Sequence, residues 1–362
     1  MFQTFQSFQR FKRIDRKGSG LLGSALGEVQ RLKPFDGDSP NMKRTAAAIA
    51  TLIISIVTAS PASAQLKKIR FSTSSIAVTE MQFRIAQMKG FYREEGLDLE
   101  TVLIRGSVGM QALIGGSVDY ASAAGSIIAA GVRGAPVRLV LIVNAKPQFD
   151  LVGQPDLKSV AQLKGKVVGI SSRGGAVDLL MQSILTQNSL TPHKDVSLLV
   201  IGTPEETMLA LKTGRIAAGL FTPPRPLILR REGFNKIAYA GDYMSHYPSG
   251  GIGATDEKIK NNPAEVLSFI RASQRGLNYY AQNRAEAIEL VTSYLGIKDP
   301  TLAAEVYDLH ASRLNTVGAL DDAWMRGAID FTKKSLAMTK DVAPSQVFNF
   351  SFVEKAMARG KP

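Results

Sequence analysis

The sequence predicts an α/β protein built as two lobes. Short apolar runs recur along the chain, segments with helical spacing separate them, and the roughly 300 residues after position 64 are enough for two cores. The runs fall at 68–72, 97–103, 120–122, 137–143, 167–170, 197–201, 217–221 and 236–239. Strands alternating with helices imply parallel βαβ units with right-handed crossovers.

The helices follow in order. Met81, Ile85 and Met88 form one apolar stripe, and Gly90 stops that helix. Gly90 and Gly96 permit the reversal into the next strand, because glycine takes a positive φ cheaply. Leu179, Leu180, Ile184 and Leu185 form a second stripe. Thr203-Pro204-Glu205-Glu206 reads as a helix start, with a Thr cap, Pro at the first position and Glu reaching back. Gly214 closes that helix. Asn262-Pro263-Ala264-Glu265 and Asn283-Arg284-Ala285-Glu286 repeat the start pattern. Beyond them the chain reads mainly helical, with Val266, Phe269, Ile270, Leu277, Ile288, Leu290 and Val291 on apolar faces.

Residues 42–64 predict export. Met42-Lys43-Arg44 is a basic start, 46–57 an apolar run too short to span a bilayer, and Ala62-Ser63-Ala64 a small-residue cleavage site. Residues 1–41 precede that signal and read as a non-structural upstream extension, so the mature chain is expected from near Gln65. That mature part carries 35 Lys+Arg against 27 Asp+Glu, a net +8 where the whole sequence has +13. The surplus favours anionic ligands modestly. Without a long basic run or aromatic–basic interleaving, no nucleic-acid partner is expected. The sequence has no cysteine, which excludes disulfides, thiolate metal sites, Cys nucleophiles and a lipidated Cys. A chain free in the periplasm of a Gram-negative envelope, and monomeric, is the expectation.

The catalytic inventory is thin. His193, His246 and His310 share no metal-ligand spacing and read as structural or solvated. Gly169-Ile170-Ser171-Ser172-Arg173-Gly174 is one residue too long for a nucleophile elbow. No Walker loop or G-x-G-x-x-G follows a strand. Asp321-Asp322 and Glu205-Glu206 suit helix starts better than acid/base pairs. Neither an enzyme nor a cofactor is indicated.

What remains are polar and glycine-rich loops directly after strands: Ser72-Thr73-Ser74-Ser75, Ala123-Ala124-Gly125-Ser126, 171–175, and Thr222-Pro223-Pro224. Ligands of open α/β sheets sit at the carboxyl ends of strands, so these loops describe a cleft. In the 171–175 loop, amides at a helix start and Arg173 would suit a carboxylate, sulfonate or phosphonate.

Four strings carry a family resemblance. Gly90-Phe91-Tyr92-Arg93-Glu94-Glu95-Gly96-Leu97-Asp98-Leu99-Glu100 is the most recognisable, followed by Ala112-Leu113-Ile114-Gly115-Gly116-Ser117-Val118-Asp119. The others are 160–170 and 210–218, where Ala217 stands in place of a more usual acidic residue. Over roughly 65–350 the chain resembles the substrate-binding proteins of ABC importers, in the branch of aliphatic-sulfonate, taurine, nitrate and thiamine-pyrimidine-precursor binders. The resemblance implies a type II periplasmic-binding-protein fold with a hinge between lobes. It implies lobe 1 over 65–145 plus 246–355 and lobe 2 over 146–245. It implies ligand contacts from Ser74, Ser75, Ala124 and Gly125 in lobe 1, and from Ser172, Arg173, Gly174 and Thr222 in lobe 2. Asn144 near the first crossing, and Tyr247 or Ser249 near the second, are further candidates.

The implied function is capture of a small ligand, sulfonate, carboxylate or heteroaromatic, for delivery to a membrane permease. One alternative is a periplasmic sensing module feeding a receptor. Another is a relative of the thiamine-pyrimidine synthases, which the missing cysteines and the export signal oppose.

Overall fold

The computed structural model describes residues 65–73, 76–104, 106–171, 173 and 176–358; the expected extension 1–41 and signal 42–64 lie outside the described residues. Its strands are β1 (Lys67–Thr73), β2 (Leu97–Leu103), β3 (Tyr120–Ser122), β4 (Val137–Asn144), β5 (Asp150–Gly153), β6 (Val167–Ile170), β7 (Ser197–Val200), β8 (Ala218–Phe221), β9 (Asn235–Tyr239) and β10 (Gly250–Thr255). They form two five-stranded sheets in the orders β2-β1-β3-β10-β4 and β7-β6-β8-β5-β9. Both sheets place their fourth-position strand antiparallel to its neighbours, while the first three run parallel.

Those two antiparallel strands, β5 and β10, are absent from the sequence expectation, which read parallel units throughout. Each enters its sheet straight from a crossing between sheets. β10 reads Gly-Gly-Ile-Gly-Ala-Thr, poor in strand formers. Its glycines answer to packing: a Cβ at Gly251 would lie 2.6 Å from the Leu141 carbonyl oxygen, and one at Gly253 2.3 Å from Ile127 Cδ1.

The longer helices are α1 (Met81–Met88), α2 (Gly106–Ile114), α3 (Ala124–Val132), α4 (Ala176–Gln187), α5 (Pro204–Lys212), α6 (Arg225–Arg231), α7 (Pro263–Gln282), α8 (Arg284–Leu295), α9 (Pro300–Ala311), α10 (Asp322–Ser335) and α11 (Ser351–Ala358). The Thr203 start forms the expected box: Thr203 Oγ1 accepts from the Glu206 amide at 3.2 Å, and Glu206 Oε2 accepts from the Thr203 amide at 2.8 Å. Asn262 and Asn283 do precede helices, but neither side chain caps. Asn283 Nδ2 instead donates back to the Tyr279 carbonyl at 2.9 Å, which takes it away from its own helix. Met81 and Ile85 are buried as expected, whereas Met88, the last residue of α1, is exposed.

Around the first sheet, Phe71, Tyr120, Val140 and Ile252 pack on α7 at one face. Leu139 and Ile142 pack on Ile127 of α3 and Ile329 of α10 at the other. The second sheet has its own core, centred on Leu151, Val168, Ile170, Leu180 and Ile184. The closest helix contact in the first lobe is α7 on α1. A Cβ at Gly276 would stand 2.3 Å from the Gln82 carbonyl oxygen and 2.5 Å from Ala86 Cβ. Gly276→Ala is therefore expected to lower stability by about 1–3 kcal/mol, despite the better helix propensity of alanine. A urea midpoint equal to or above the parent's would contradict this.

Candidate functional site

Both crossings join the carboxyl ends of the two sheets. The chain leaves β4 at Asn144 and enters β5 at Asp150, which lies opposite Phe221, the last residue of β8. It returns from Tyr239, also opposite Asp150, to Gly250, which lies opposite Asn144. The carboxyl ends of β1 and β3 thus face those of β6 and β8. That is where open α/β sheets hold ligands.

Of the residues expected at the site, Ser74, Ser75, Ser172 and Gly174 lie outside the described residues. Gly125 and Tyr247 meet directly. The Tyr247 hydroxyl rests so close that a Cβ on Gly125 would lie 2.3 Å from it. Only glycine fits there. The Tyr247 ring leans edge-on against Phe331 of α10 at 5.7 Å, and burial pushes its phenol up to about 12. Among the described residues that hydroxyl has no hydrogen-bond partner, so it enters the cleft as a neutral donor. Ala124 opens α3 beside it, and α3 begins without a side-chain cap, which leaves first-turn amides for water or a ligand.

Asn144 is fully buried behind this contact. Its Nδ2 donates to the Arg313 carbonyl at 3.4 Å, and its Oδ1 packs against Gly250. Ser249 ties the two crossings together: its amide donates to the Asn144 carbonyl at 3.2 Å and its hydroxyl to the Lys146 carbonyl at 2.9 Å. These two residues brace the crossings in this structure.

On the second sheet, Thr222 lines a small hollow of about 40 Å³ at the carboxyl ends of β6 and β8. Phe149, Ile170, Val177 and Leu220 form its apolar walls, Ser171, Thr207 and Thr222 also line it, and among the described residues no charged side chain does. Nearby cations are spoken for or turned outward. Arg225 pairs with Glu205, and Arg173 is exposed and makes no ion pair among the described residues.

Sequence reasoning missed three features. Phe149 and Val177 carry no motif, and only the fold brings them to the hollow. Glu80, just ahead of α1, is 5% exposed, and its Oε1 accepts from Ser122 Oγ at 3.0 Å while its Oε2 has no partner. Burial pushes its carboxyl up to about 8, against the opposing pull of the Ser122 hydrogen bond, so a neutral acid sits under the loop that follows β3. Third, Arg313 reaches from the end of α9 to Asp150 in the second sheet.

The NMT1/THI5-like family model matches residues 80–287. A putative binding protein of Brucella abortus is 26% identical over 230 residues, covering 61% of this chain and 69% of that protein. A riboflavin-binding protein, RibY, of Chloroflexus aurantiacus is 25% identical over 223 residues, covering 59% and 62%. Among solved structures, a periplasmic sulfonate-binding protein of an ABC transporter from Methylobacillus flagellatus superposes with a TM-score of 0.65 at 20% identity, over 82% of this chain and 95% of that one. At that identity the likeness is one of fold: two sheets bridged by two crossings, as in periplasmic binding proteins.

Proposed function

The chain belongs to the NMT1/THI5-like family, and we propose that it is the periplasmic solute-binding component of an importer, holding a small molecule between its two lobes. The carrying observation is that the carboxyl ends of the two sheets face each other across the crossings, with the Tyr247–Gly125 contact on one side and the small apolar hollow on the other. A ligand that touches both sides stabilises the closed arrangement by its differential contacts, and the joined surface is then offered to a membrane permease. Among the described residues no group at the cleft is arranged for bond making, and the relatives' names are those of binding proteins.

Of the ligand classes expected from sequence, the uncharged walls of this small hollow favour contact with the apolar edge of a ring held in the cleft over an unpaired compact anion. Carbon walls gain by covering apolar surface, at roughly 25 cal/mol per Å², and cannot repay the desolvation of an unpaired charge. The Ser171 and Thr222 hydroxyls suit the polar edge of a heteroaromatic ring. One relative is named for such a ligand, riboflavin.

Native mass spectrometry of protein released gently from the periplasm, joined to thermal-shift titration with riboflavin, pyrimidines, aromatic carboxylates, taurine and nitrate, tests the reading. A protein that carries no small molecule and gains no stability from any of these is not a solute carrier of this kind. Val177→Asp adds a carboxylate to the hollow at the first turn of α4, where the helix dipole tolerates it. It is expected to weaken a ring ligand by about 1.4 kcal/mol or more, a tenfold rise in Kd, with little change in melting temperature. Unchanged affinity would place the ring elsewhere.

A further inference from the structure

Helix α9 is bound to both lobes through opposite faces. Its inner face, Leu302, Ala303, Val306 and Tyr307, is buried with Val78 and Met81 of the first lobe and Tyr280 of α7. Its outer face carries carboxylates toward α6, which covers β5 and β9 of the second lobe. Glu305 accepts from Arg230 Nη2 at 3.1 Å and from Arg231 Nη2 at 3.0 Å, and Arg231 also pairs with Asp299. Just past the helix, Arg313 Nη2 lies 3.4 Å from Asp150 Oδ1, with its guanidinium 4.1 Å from the centre of the Tyr239 ring. Between these charges Leu227 of α6, 7% exposed, inserts into the apolar cluster of the first lobe.

The geometry points to α9 as a non-covalent strap, a third connection beside the two crossings, that holds the lobes together before any ligand arrives. Isolated exposed ion pairs contribute little, because two long side chains must be ordered in water. Here the ordering is largely done. Asp299 is fixed as the cap of α9, accepting from the Thr301 and Leu302 amides at 2.8 and 3.2 Å. Glu305 serves two guanidiniums at once, and Arg313 is pinned over an aromatic ring. Opening the lobes has to separate Glu305 and Asp299 from the α6 guanidiniums and wet Leu227, or else peel α9 from its own core, while Arg313 anchors the strap at the crossings. The strap therefore keeps the closed form populated without ligand and raises apparent affinity by reducing the conformational penalty on binding.

The inference rests on the lobe movement proposed above, but its test needs no ligand. The sequence has no cysteine, so spin labels at Gln111→Cys in α2 and Leu209→Cys in α5, both exposed, report the separation of the lobes. In the full chain at 0.05 M NaCl the parent is expected to give one short distance. R230E/R231E should add a longer population several-fold larger than any in the parent, and 1 M NaCl should move the parent the same way. Adding Glu305→Arg to the reversed pair should restore the short distance. A reversed variant with the parent's distribution, or a parent indifferent to salt, overturns the strap. The salt arm decides if the reversed variant fails to fold. A missing ligand would leave these distances unchanged, so the two readings fail separately.

Discussion

Glu80→Gln is expected to leave stability nearly unchanged at pH 4 and to raise it progressively above the parent's between pH 5 and 8. In the folded protein burial holds the Glu80 carboxyl at about 8, against 4.5 for the free group. Across that interval the folded state keeps a proton that the unfolded chain has released. The contribution of the neutral acid is thus complete below pH 4.5 and is lost as pH rises through 8. The slope is about 1.4 kcal/mol per pH unit, which bounds the whole loss near 5 kcal/mol. Glutamine keeps an oxygen for Ser122 and has nothing to titrate. Its amide nitrogen takes the place of Oε2, which has no partner in either case. Urea midpoints of parent and variant, measured from pH 4 to 9, check the prediction. Parallel profiles would mean that Glu80 ionises as freely as a solvated carboxylate, and that the acid beneath the β3 loop is not neutral at neutral pH.

Such a residue shows where sequence reasoning stops. β2, β3 and β6 were legible to the residue, because an apolar run bounded by glycine or a polar loop is a local signal. The Thr203 box was legible for the same reason. β10 was not, since its composition answers to Leu141 and Ile127, more than a hundred residues away. At the cleft, Gly125 and Tyr247, both put forward from sequence, are found in direct contact. The Phe149 and Val177 walls of the hollow were hidden, as apolar side chains look alike in sequence whether they line a core or a cavity. Arg173 illustrates the converse. A lone arginine in a glycine loop suggests an anion site, and here it is exposed beside a hollow with no charged lining among the described residues, so its spacing alone names no partner. His310, read from sequence as structural or solvated on a polar loop or helix surface, is instead fully buried, with Nδ1 3.2 Å from the Tyr280 hydroxyl.

Phe269→Ala should cost about 3–5 kcal/mol and loosen the first lobe before the second. Phe269 was placed on the apolar face of α7 by spacing alone, but its partners come from three distant segments. Its ring stacks on Tyr120 with centroids 3.9 Å apart and planes within 4°. It meets Phe71 edge-on at 5.7 Å and Tyr92 at 5.4 Å. It is fully buried. Removing it opens a cavity between α7 and the sheet and frees Tyr120, whose hydroxyl donates to Glu265 Oε1 at 3.0 Å. Glu265 in turn pairs with Lys258 at 2.8 Å and with Lys67, so a tilt of Tyr120 strips a buried carboxylate of one of its donors. The second sheet shares none of these contacts, because its core is centred on Leu151, Val168 and Ile184. Hydrogen exchange should therefore show protection lost first in β1, β3 and α7, with β5, β6 and β8 holding longer. Phe269→Leu, which keeps most of the volume, should cost well under half as much. A loss below 1 kcal/mol for the alanine variant, or equal loosening of both sheets, would mean that the lobes do not have separate cores and that no stable half exists for the other to move against.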